Sequence, residues 1–398
     1  MKLSRSLTAL TALFVSGAVA AGCTTSTNQQ PPADGSNEST EPSPTANPTA
    51  GQTTPSSPSP TTPSAEQARE ERWDAMTLEQ QVASVMMLHY AGTDSQAIAD
   101  FVEQIQPGGL ILMGDNIPAD ENQLANSVTL WNEAATLPLL VGIDEEGGTV
   151  RRLNLDTFPA APELRDGDPA ATQEAFNSRA QLLSSLGINT NFGIIADITA
   201  DPNSFIWPRV LGSTPESAAT QVQAAVGGEQ GLVFSTIKHF PGHGLSAGDS
   251  HVSIPSSDVT LQEWQQLAAP PFQAGIDDGV EMVMIGHLRF PQIADEPASL
   301  SPRWHQILRE DLGFDGIIVT DAMEMLQGSE LPEYADPVQN IVWTLQAGST
   351  LVLDATAVDA ASAQQLIDGI ADAVRSGELD PGVLKDAGLR LMELREGL

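Results

Sequence analysis

Gly316-Ile317-Ile318-Val319-Thr320-Asp321 is a short apolar, β-branched run that opens on a glycine and closes on a carboxylate. Such a run reads as a strand buried on both faces, the kind found in parallel sheets. The same plan recurs at 82–89, 109–113, 139–144, 190–197, 235–240, 281–287 and 350–354, which makes eight candidate strands. Segments such as 261–278 and 302–312, between them, have helical spacing. Strand and helix alternating over eight units predict an α/β fold, a single TIM-like (β/α)8 barrel. Globular composition begins at about Ala65 and continues to Leu398, enough chain for one such barrel.

In a barrel of this kind the reactive side chains sit at the C-terminal ends of the strands. Here those ends carry Asp144, Asp197, Lys238-His239, His287, Asp321 and Asp354. Loops open on polar residues in any fold, but Lys, His and Asp at six ends exceed that background. The fifth end leads into Lys-His-Phe-Pro-Gly-His-Gly-Leu-Ser-Ala-Gly-Asp-Ser-His, residues 238–251. Three of the six histidines (His239, His243, His251) and one of only three lysines (Lys2, Lys238, Lys385) fall in this stretch. Its glycines and proline make it a loop, where chemistry concentrates on a rigid scaffold.

Lys+Arg 17 against Asp+Glu 52 gives a net charge of −35, which disfavours nucleic acid and anionic lipid as partners. Residues 1–22 read as an export signal. Lys2 and Arg5 precede an apolar stretch from Leu7 to Ala21 that is short for a membrane span. It ends in Ala20-Ala21-Gly22-Cys23, which resembles a bacterial lipobox and implies cleavage before Cys23 and lipidation of its sulfur. With one cysteine no intrachain disulfide can form. Residues 24–64 hold no Leu, Ile, Val, Met or aromatic side chain, so a disordered Ser/Thr/Pro-rich tether is expected over 23–64. An exported protein is expected, held at the membrane only through its lipid and facing the cell wall, with the catalytic unit at 65–398 acting as a monomer.

The side chains at the barrel rim allow more than one chemistry. Asp321 could serve as nucleophile, base or metal ligand. Asp249, two residues before His251, can accept from one imidazole nitrogen and raise the basicity of the other, making an acid/base pair. Lys238, His239, Arg152 and Arg209 are donors suited to sugar hydroxyls or an acyl carbonyl, and Asp144 can accept from two adjacent hydroxyls. His239, His243, His251, Asp249 and Asp321 could instead form a divalent metal site, although Lys238 beside them opposes a cation. A pair acting on opposite sides of a glycosidic bond is the other possibility.

The 238–251 segment resembles the signature of bacterial β-N-acetylhexosaminidases of glycoside hydrolase family 3. Gly142-Ile-Asp144-Glu145-Glu146-Gly-Gly148 with Arg152 downstream is similar to that family's (V/I)-D-Q-E-G-G block. Gly316 to Met325 is similar to its nucleophile block, and 107–112 and 347–354 fit as barrel strands. The resemblance spans about residues 72–398. It implies Asp321 as the nucleophile of a retaining mechanism and His251, oriented by Asp249, as the general acid/base on a mobile loop. It also implies Asp144, Arg152, Arg209, Lys238 and His239 as binders of N-acetylglucosamine, with no cofactor. The implied substrate is a terminal β-linked N-acetylglucosamine of a carbohydrate such as a peptidoglycan fragment. Arg209-Val-Leu-Gly212 departs from the family's Arg-Ser-Phe-Gly, and Glu145 and Thr149 stand in place of Gln and Arg; added negative charge near the sugar pocket is expected from these. A family 3 β-glucosidase, a phosphorylase of the same barrel and a non-catalytic sugar-binding lipoprotein are the alternatives. His243 is expected to hydrogen-bond its loop, Asp197 to brace a basic residue, His287 to line the barrel mouth, and Trp207 to stack on a sugar or pack in the core.

Overall fold

The structure, a computed structural model, describes residues 64–398. The export signal, Cys23 and most of the expected tether lie outside the described residues. Eight parallel strands form the sheet: β1 Met86–His89, β2 Gly109–Leu112, β3 Leu140–Ile143, β4 Thr190–Ile195, β5 Phe234–Phe240, β6 Met282–Ile285, β7 Ile317–Thr320 and β8 Val352–Ala357. Their order is β8-β1-β2-β3-β4-β5-β6-β7. Val319 of β7 makes a parallel bridge to Leu351, just before β8, which brings the last edge round to the first. At this junction the amide of Leu353 donates to the Thr320 hydroxyl at 3.0 Å rather than to a backbone carbonyl.

The strands are short, and all but β8, whose last three residues emerge from the core, are buried over nearly their full length. Met86–His89, Gly109–Leu112, Leu140–Ile143 and Ile317–Thr320 are buried at every position. Helices cover them outside, and the first turns are set by side chains: Asp94, Asp168, Thr214 and Asp336 each accept from amides opening the helix that follows. The eight expected strands are all present. The start of the first is corrected: Leu78–Ser84 is a helix, so β1 begins only at Met86. The 151–187 segment, which carries no strand, holds the helix Pro169–Ser185.

One packing unit governs the site directly. Phe240 ends β5, and its ring meets Trp264, Phe272 and Trp304 edge-on, with centroids 5.8, 5.3 and 5.7 Å away. Trp264 also donates its indole N–H to the Pro241 carbonyl at 2.7 Å. The strand carrying Lys238 and His239 is therefore anchored on its outer side by aromatic contact, and its turn is fixed by a buried hydrogen bond.

Candidate active site

Lys238 and His239 lie near the end of β5, and both side chains meet the group built around Glu146 and Arg209. Lys238 Nζ donates to Asp144 Oδ1 at 2.7 Å and lies 2.8 Å from Glu146 Oε1. Arg209 meets Glu146 in a two-pronged pair, Nη2 to Oε1 at 2.7 Å and Nε to Oε2 at 2.9 Å. Arg152 Nη2 reaches Asp144 Oδ2 at 3.3 Å. Three cations and two carboxylates thus share one compact group at the ends of β3, β4 and β5, leaving one positive charge in excess. Burial would push the carboxyls of Asp144 and Glu146 up, but the neighbouring cations outweigh it and both stay ionised below the ordinary range. Burial would likewise lower Lys238, and the same two carboxylates outweigh it, so the ammonium persists.

His239, expected as a donor, has both ring nitrogens engaged by protein groups. Its Nδ1 donates to Asp197 Oδ2 at 2.7 Å, and its Nε2 accepts from Arg209 Nη2 at 3.2 Å. Burial, with Arg209 beside it, holds its pKa well below the ordinary value, so the ring is neutral. Asp197 is fully buried and also accepts from the His243 amide at 2.5 Å, so it braces the loop opening as well as the His239 ring. The expected loop hydrogen bond from the His243 ring is not made. Both ring nitrogens lack a partner among the described residues, and the ring packs on Phe205 with centroids 4.6 Å apart.

Asp321 follows β7. Its Oδ1 accepts from the Ala322 amide at 2.9 Å. Burial pushes its pKa up, yet it lies below the ordinary value, with the Ala322 amide and the Lys238 ammonium drawing it down, as an anionic role requires. Asp249 and His251 stand on the loop beyond β5, with side chains 43% and 63% exposed. His251 Nδ1 donates to Asp249 Oδ1 at 2.6 Å, and its amide donates to the same oxygen at 3.0 Å. That leaves Nε2 available as the second ring nitrogen. The base of the loop is stapled: Ala247 bridges Ser256, and Arg289 exchanges hydrogen bonds of 2.9 Å with Pro255 and Ser257. Among the described residues no group of three His, Cys, Asp or Glu is placed to hold a metal ion.

Three further expectations meet different outcomes. Glu145 does not add charge to the pocket: it is fully buried, accepts from the amides of Arg152 and Leu153 on Oε2, and has its pKa pushed up to about 8 by burial, with Asp156 also raising it. It is a neutral acid at pH 7. His287 does not line the open mouth, being 1% exposed. Trp207 has Arg165 stacked over its ring, 3.7 Å from Cζ to the centroid. Glu146 went unassigned in the sequence. The signal that pointed to it was the run Asp144-Glu145-Glu146 in a chain with almost no lysine to neutralise it.

The Glycosyl hydrolase family 3 N terminal domain matches residues 77–394. The chain belongs to glycosyl hydrolase family 3. It is 34% identical over 253 residues to a β-hexosaminidase of Xanthomonas axonopodis pv. citri, covering 61% of this chain and 75% of that protein. It superposes with TM-score 0.74 and 31% identity on a family 3 β-N-acetylglucosaminidase from Paenibacillus sp. FPU-7, over 81% of this chain and 63% of the other. The chain therefore spans less than two thirds of the Paenibacillus chain. M. tuberculosis LpqI matches with TM-score 0.73 and 25% identity, over 82% of this chain and 96% of its own. The family 3 protein described here is a glycoside hydrolase of the β-N-acetylhexosaminidase type, on a TIM-like barrel.

Proposed function

We propose that this family 3 protein is an exported, retaining β-N-acetylglucosaminidase that removes terminal β-linked N-acetylglucosamine from peptidoglycan fragments. The observation that carries the reading is the Asp321 carboxylate, with one oxygen tied by the Ala322 amide, at the barrel end that also holds the Asp144–Lys238–Arg152 group. That group offers a carboxylate and cationic donors to sugar hydroxyls.

Asp321 attacks the anomeric carbon as the bond to the leaving oxygen breaks. His251, protonated and held by Asp249, gives its Nε2 proton to that oxygen. Water then attacks the glycosyl–Asp321 ester, neutral His251 takes the proton of the water, and the Asp321 carboxylate is released. An imidazole replaces the second carboxyl usual in retaining glycosidases, and its exposed loop lets Nε2 travel to the bound sugar. Lipidation of Cys23 would hold the catalytic unit at the membrane as a monomer.

Asp321→Asn should abolish release of a chromogenic aryl N-acetylglucosaminide. His251→Ala should slow a natural disaccharide by about 100-fold or more, while an aryl glycoside with a good leaving group suffers far less. Measuring kcat/KM on both substrates tests this: equal losses, or none on the disaccharide, would remove His251 from the acid role. Release of the free sugar at equal rates with and without phosphate separates hydrolysis from phosphorolysis.

A further inference from the structure

His287 stands two residues beyond β6 with both ring nitrogens committed. Nε2 lies 3.0 Å from the Ala322 carbonyl, and Nδ1 lies 2.6 Å from the Ser299 hydroxyl. A carbonyl can only accept, so the ring proton sits on Nε2, and Nδ1 must accept from Ser299. Ser299 is itself fully buried and held on both sides: its amide donates to Gly286 at 3.2 Å, and its carbonyl accepts from the Thr344 hydroxyl at 2.7 Å.

Ala322 is gripped at both of its backbone groups. Its amide donates to Asp321 Oδ1, and its carbonyl is held by the imidazole. We propose that His287 is a positioning residue for Asp321, and that Ser299 fixes the imidazole tautomer which grips the turn carrying that carboxylate. The inference rests on the reading of Asp321 as the nucleophile. Held this way, Oδ1 is tethered and Oδ2 is left free to reach the anomeric carbon. A proton-shuttling role does not fit the geometry. The ring is 1% exposed and has no nitrogen to spare, and burial keeps it neutral. The opposite neutral tautomer would set the Nε2 lone pair against the carbonyl oxygen, so of the two neutral tautomers only one closes the clamp.

The test uses the full chain and its His287→Phe, His287→Gln, Ser299→Ala and Asp321→Asn variants. A fluorinated N-acetylglucosaminyl fluoride serves as the labelling probe and a dinitrophenyl N-acetylglucosaminide as the substrate. Neither needs help from His251 in leaving. The rate constant for labelling position 321 should fall about 10- to 100-fold in His287→Phe, because small misplacements of a reacting group cost that much. It should fall less in His287→Gln, whose amide can still donate to Ala322, and several-fold in Ser299→Ala. KM should stay within about twofold throughout, since the sugar-binding group is untouched. A merely structural role would lower soluble yield and Tm without this ordering or the split between kcat and KM. If folded His287→Phe labels as fast as the wild type, the proposal falls while the nucleophile reading stands. If His287→Phe does not fold, Ser299→Ala decides, and a labelling rate within twofold of wild type overturns the proposal. If Asp321→Asn retains activity, the nucleophile reading falls and the positioning role falls with it.

Discussion

Glu145 occupies a position where the family block has a glutamine. One oxygen accepts from the Arg152 and Leu153 amides, so it holds the turn that delivers Arg152 to Asp144. Its pKa of about 8 against an ordinary 4.5 means that the folded protein keeps a proton the unfolded chain has already lost. The contribution of Glu145 to stability is therefore fullest below about pH 4.5 and is lost as pH rises through about 8. Glu229, also raised to about 8, and Glu324, raised to about 7, act in the same direction. Glu145→Gln should stabilise the protein more at pH 8 than at pH 5, by about 3 kcal/mol in urea unfolding. An equal change at the two pH values would contradict a neutral acid at this position. The members of the site were largely legible one residue at a time: Asp321, the Asp249–His251 spacing and the rare Lys238 all stand out in the sequence. Their electrical states were not. That His239 is neutral, that Glu145 is uncharged and that Glu146 bridges Lys238 and Arg209 all depend on which side chains meet in three dimensions, and spacing along the chain does not encode this.

At the level of elements, β5 and the turn after it depend on the aromatic cluster around Phe240. Trp264→Ala should cost about 3–5 kcal/mol by opening a cavity beside Phe240 and Trp304. Trp264→Phe preserves much of the packing but leaves the buried Pro241 carbonyl without its donor, for a cost of about 1–2 kcal/mol. Chemical denaturation of both variants checks the order; a Phe variant as damaging as Ala would assign the whole effect to volume. The eight strands could be read because burial on both faces leaves continuous apolar runs with polar ends. The error at residues 82–84 has a local cause. Val82-Ala83-Ser84-Val85-Met86 is apolar enough for strand or helix, but Thr77 and Gln80 form a capping box that starts a helix there. That signal outranks the apolar run.

Over the whole molecule, a net charge of −35 surrounds a site whose cations are mostly occupied by Asp144 and Glu146. Long-range repulsion should therefore penalise anionic substrates at low salt, and screening should relieve it over a Debye length of about 10 Å at 0.1 M. KM for an anionic muropeptide is expected to fall several-fold as salt rises, while KM for a neutral aryl glycoside stays level. Parallel salt titrations of the two substrates measure the difference, and matching responses would show that the surface field does not reach the site.

The Thr320 hydroxyl that receives the Leu353 amide has a consequence for how the protein comes apart. A cask is only as sound as the stave closed last, and here a side-chain clasp shares the seam with the backbone bonds from Thr320 to Leu351 and from Met323 to Leu353, one residue from the Asp321 carboxylate. Thr320→Val should let deuterium into Leu353 sooner than into the paired amides of β2 and β3. Heat would then silence the enzyme through that clasp before the rest of the cask loosens.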